Sequence, residues 1–96
     1  MRTGLIMMYF VALVKFKKNQ TKTVVAENLK RIETEETKDG VKVHGIYWTL
    51  GSYDSVAIFE APNEKIAMKM AIRRADDMDI ETLLAIPMEE AKKLVV

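Results

Sequence analysis

His44 is the only imidazole in the chain, and Trp48, four residues on, is the only indole. The stretch that holds them, VKVHGIYWTLGSYDSVAIFEAP from Val41 to Pro62, also carries Tyr47, Tyr53, Asp54 and Glu60. An imidazole beside a carboxylate can take up and release a proton near neutral pH. His44, Asp54 and Glu60 are therefore candidate catalytic residues for general acid–base chemistry. Residues i and i+4 of a regular strand share a face. His44 and Trp48 should then line one cavity, with Glu60 nearby. Tyr9, His44, Trp48, Tyr53 and Asp54 are the candidate ligand-binding residues. Each has a structural alternative: a packed Trp, a hydrogen-bonded His, and a Gly51-Tyr53-Asp54 turn whose carboxylate accepts backbone N–H groups.

Other chemistries lack their residues. One His and no Cys leave no conventional metal site within a single chain. The four glycines are scattered, so no phosphate-binding loop exists and no cofactor is expected. Ser52 and Ser55 sit in no nucleophile context. A net charge of +1 gives no global pull toward nucleic acid or anionic membrane. Lys15, Lys17, Lys18 and Lys22 read as one solvated end rather than a nucleic-acid surface. The absence of cysteine fits a cytoplasmic address. The apolar run Gly4 to Val14 is too short to span a bilayer, which takes about 20 residues. It reads as a buried strand, and Met7 and Met8 are alternative starts that leave residues 1–7 as a leader or as a lengthened strand.

The elements that must position these side chains follow from periodicity. Ninety-six residues make one domain, 1–96, with its core over about 8–86 and a tail over 87–96. The first strand covers Met8 to Phe16, apolar on both faces: Tyr9, Val11 and Leu13 against Phe10, Ala12, Val14 and Phe16. A helix follows from Thr23 to Lys38, capped by Thr21 or Thr23, with Val25, Leu29 and Ile32 on one stripe. Its second half, Glu33 to Lys38, reads as a solvated end. Strands over Val41–Leu50 and Tyr53–Ala61 form a hairpin around Gly51. Asn63 caps a second helix, Glu64 to Asp77, with Ile66, Ala67, Met70, Ala71 and Arg74 inward, Arg73 outward, and Met68 and Met70 filling the core. A fourth strand, Asp79 to Ile86, stops at Pro87. Met88 to Val96 forms a short helix or an arm.

The order β-α-β-β-α-β with right-handed crossovers implies an α+β, ferredoxin-like sandwich: four antiparallel strands with two helices on one face. The opposite sheet face is also apolar and needs a cover. A second copy on a two-fold axis supplies one, so a homodimer is expected.

The string Tyr47-Trp48-Thr49-Leu50-Gly51-Ser52-Tyr53-Asp54, then Val56-Ala57-Ile58 and Glu60-Ala61-Pro62, resembles the GYD-domain family. That family is named for Gly-x-Tyr-Asp at the start of its third strand. Tyr9 to Phe16 and Glu81-Thr82-Leu83 are similar to its first and last strands. The chain departs from the family at Lys17-Lys18-Asn19-Gln20 and at Asp76-Asp77-Met78-Asp79. The resemblance implies a dimeric α/β-barrel assembly, two ferredoxin-like sheets face to face, with larger rings left open. It implies no reaction. Three classes remain open: a homodimer binding a small molecule between the sheets, a cofactor-independent monooxygenase- or isomerase-like enzyme, or a purely structural interaction module.

Overall fold

The computed structural model describes residues 7–95. The choice between a leader and a longer first strand falls mainly on residues 1–6, outside the described part. The chain order is β1 (Met8–Phe16), α1 (Lys22–Arg31), β2 (Lys42–Trp48), β3 (Ser55–Ala61), α2 (Glu64–Arg73), β4 (Met78–Ala85) and α3 (Met88–Ala91). The strands form one antiparallel sheet in the order β2-β3-β1-β4. No described helix is long and apolar enough to cross a membrane.

The central strand sets the layers. Phe10, Ala12 and Val14 of β1 point to the helix side and are buried, with Phe59 and Ala61 of β3 and Ala67 of α2. Phe10 and Phe59 are cross-strand partners and stack at 5.4 Å, which anchors the core. They are sealed in, so neither is available to stack on a nucleic-acid base. The alternate residues Tyr9, Val11 and Leu13 pair with Glu60, Ile58 and Val56 on the other, open face, as the two-residue repeat requires.

The starts of α1 and α2 follow local capping chemistry. Thr21 Oγ1 accepts from the Val24 N–H at 3.1 Å, and Asn63 Oδ1 accepts from the Ile66 N–H at 3.0 Å. The first helix is shorter than its stripe suggests. It changes to a π-turn over Ile32–Glu36, then ends at Gly40, whose φ of +84° suits glycine. The extra residue in that turn changes which side chains face inward. As a result Glu36, placed by its polar surroundings in a solvated end, is fully buried. Arg73 is likewise drawn inward, and Met68 is 64% exposed rather than in the core.

The hairpin connection is wider than a tight turn at Leu50-Gly51-Ser52. Pairing stops at Trp48 and resumes at Ser55. The Thr49 N–H donates to the Asp54 carbonyl, and the Thr49 hydroxyl donates to the Tyr53 carbonyl. These bonds satisfy backbone groups that a longer ladder would have used. Gly51 takes a φ of +106° at the tip.

Candidate functional site

The side chains able to do chemistry lie mainly on the open face, and one irregularity decides which of them meet. In the β2–β3 ladder Val43 pairs with Phe59, but Gly45 pairs with Ile58, leaving His44 as an extra residue. Such a β-bulge resets the alternation of every later residue. Before it, Val43 faces the helices. After it, Ile46 and Trp48 do so, while Tyr47 pairs with Val56 on the open face. The shared face expected for His44 and Trp48 is therefore absent. Trp48 packs edge-on against Phe16 on the helix side, and His44 stands on the open face.

There His44 meets two of the other candidates. Its Nε2 lies within hydrogen-bond distance of Glu60 Oε2, 2.5 Å, and its ring lies parallel to Tyr9 with centroids 5.4 Å apart. Tyr9 and Glu60 are direct cross-strand partners, so β1 and β3 hold them in register while the bulge delivers His44. Partial burial pushes the Tyr9 phenol above its ordinary value, helped by the charge and hydrogen bond of Glu60 and by the nearby Glu90. Tyr9 thus stays protonated and able to donate beside a His–carboxylate pair. Such a group can orient a polar ligand and relay a proton.

The other candidates lie elsewhere. The Tyr53 hydroxyl donates to Glu81 Oε1 at 2.8 Å, and the Lys15 ammonium sits 5.6 Å from the Tyr53 ring centre. The bond to Glu81 is the main reason the Tyr53 phenol is raised. Asp54 turns to the backbone: its Oδ2 accepts from the Phe16 N–H at 2.8 Å, while its own N–H donates to the Val14 carbonyl. It prolongs the β1–β3 ladder past the last strand pair. Glu60 lies six positions after Asp54, about 20 Å of strand, so Asp54 does not join His44 in one site. Asp54→Ala should lower stability by about 0.5–1.5 kcal/mol, read as a small drop in melting temperature. Loss of a ligand response without such a drop would return Asp54 to the site.

Sequence patterns gave no warning of an ionic cluster on the opposite side. Arg73 reaches Glu35 at 3.2 Å, Glu36 at 3.5 Å and Asp39 at 2.8 Å, and Arg74 pairs with Glu36. The hydrogen bond from Arg73, with help from Lys69, holds the Asp39 carboxyl below its ordinary value. The folded state therefore binds this proton more weakly than the unfolded chain. The resulting stability is present above about pH 4 and is lost as pH falls through the lowered folded value. Asp39→Asn should flatten that acid limb, measured by urea unfolding at about pH 6 and pH 3.

No curated protein sequence matches the chain. The turn that places Tyr53 and Asp54, the paired strands on either side of it and the helices that follow all fall within residues 10–95, which match the model of the GYD domain. The chain belongs to the GYD-domain family.

Proposed function

We propose that this protein is a homodimer in which two ferredoxin-like sheets pack through their open faces, in the manner of dimeric α/β barrels, and that a small molecule binds beside Tyr9, His44 and Glu60. One observation carries the proposal: Val11, Leu13, Val56, Ile58 and Leu83 form a continuous apolar strip that no element among the described residues covers. Four strands about 4.8 Å apart and roughly 26 Å long give a face of about 500 Å² in projection. Standing side chains expose more than that footprint. The area approaches the roughly 600–1,000 Å² that each partner contributes to a stable interface. Charge supports a two-fold arrangement, because Lys15 and Glu81 on this face are of opposite sign and each can meet the other's counterpart.

Self-association couples stability to concentration. The melting temperature should rise by several degrees over about a hundred-fold increase in protein concentration, and a concentration-independent value contradicts the proposal. For the ligand, a thermal-shift screen of small polar metabolites should give a rise that His44→Ala abolishes. Equal responses in both proteins would remove His44 from the site.

A second reading, a cofactor-independent enzyme that moves a proton or activates a bound substrate, draws on the 2.5 Å His44–Glu60 contact. Turnover lost in Glu60→Gln with ligand binding retained would favour it over binding alone.

A further inference from the structure

The sheet's other face holds a second feature, independent of the open-face reading. Here α1 contributes no buried residue, and Leu29 remains 53% exposed although it points toward the sheet. Between α1, α2 and the sheet lies a cavity of about 150 Å³. Its size follows from facing small residues: Ala12 and Ala57, cross-strand partners on the sheet, look toward Ala67 and Ala71 of α2. Val25 of α1 and Ile32 of the π-turn that follows it close one side, and Trp48 stands at the edge.

Among the lining residues one is charged. Arg74 is only 8% exposed. Its one carboxylate neighbour, Glu36, is shared with Arg73, which has Glu35 and Asp39 besides. The Arg74 Nη2 has no hydrogen-bond acceptor among the described residues. A buried guanidinium so placed is incompletely compensated, and a donor left without an acceptor there is costly. Asn28 of α1 adds a polar side chain to the lining.

We propose that this cavity binds a small aromatic or branched aliphatic carboxylate, its apolar body between α1 and the sheet and its carboxylate on Arg74 and Asn28. The volume suits a benzene-sized body, since a dry apolar cavity of about 150 Å³ accepts benzene. The guanidinium fork matches a carboxylate through two parallel bonds, which a neutral or cationic ligand cannot use.

Trp48, as the only tryptophan, reports binding by its fluorescence. Titration with benzoate should saturate with a Kd of about 1 mM or tighter, with benzamide at least about ten-fold weaker and benzylamine inactive. Ala57→Leu, which fills the cavity without adding charge, should abolish the response while the circular dichroism spectrum is kept. Arg74→Met combined with Glu36→Gln removes both buried charges together, and should equalise benzoate and benzamide. Methyl chemical shifts should move at Met70 and Met78. Equal binding of benzoate and benzamide to the unmodified protein, no saturation by about 20 mM, or shifts confined to Leu13 and Val56 on the open face would overturn the proposal. The last result would also leave the open-face reading standing by itself.

Discussion

Glu36→Ala should lower the stability of the fold by about 3–5 kcal/mol. Glu36 is the only fully buried carboxylate among the described residues, and it faces both Arg73 and Arg74. Removing it leaves Arg74 buried with no anion at all. A buried pair adds little net stability when intact, because desolvation offsets the attraction, but breaking it strands a charge in a medium that solvates it poorly. Domains of this size are stable by only about 5–15 kcal/mol, so the variant should unfold at much lower urea or fail to fold. Glu33→Ala, on an exposed position of the same π-turn, should stay within about 0.5 kcal/mol of the parent. Equal effects from the two substitutions would contradict the cluster's role in joining the end of α1 to the end of α2.

Ile58→Asp should leave the fold intact and abolish self-association. Ile58 sits near the middle of β3, opposite Val11 on the open face, away from the Phe10–Phe59 core. In a monomer the new carboxylate would reach water. In the proposed dimer it would be buried against apolar side chains of the second copy, with no partner charge. Burying such a group costs about 2–5 kcal/mol, which weakens association at least about 30-fold. Far-ultraviolet circular dichroism should be unchanged while sedimentation shows the smaller species. Unfolding would instead mean that the open face belongs to the monomer's own core.

Much of the fold was legible because alternation reports burial directly. Strand β1 shows two apolar faces in its letters, and Asn63 and Thr21 mark helix starts by their capping chemistry. The signature turn with Gly51 was legible for the same local reason. The bulge was not. It moves His44 and Trp48 to opposite faces, and its only trace is Gly45, where an added Cβ would lie 2.7 Å from the Tyr47 hydroxyl. Glu36 was misread because a run of polar residues looks solvated unless its partners are known. Those partners, Arg73 and Arg74, lie almost forty residues away and meet it only through tertiary packing. The cavity was hidden similarly, since alanines on three separate elements look like ordinary core residues until they face one another.

The molar mass in solution tests most directly whether the open face joins two copies. Light scattering on the eluting peak at micromolar concentration should return twice the chain mass of 11.0 kDa, and Ile58→Asp should return 11.0 kDa. A clean 11.0 kDa species from the unmodified protein would contradict the account.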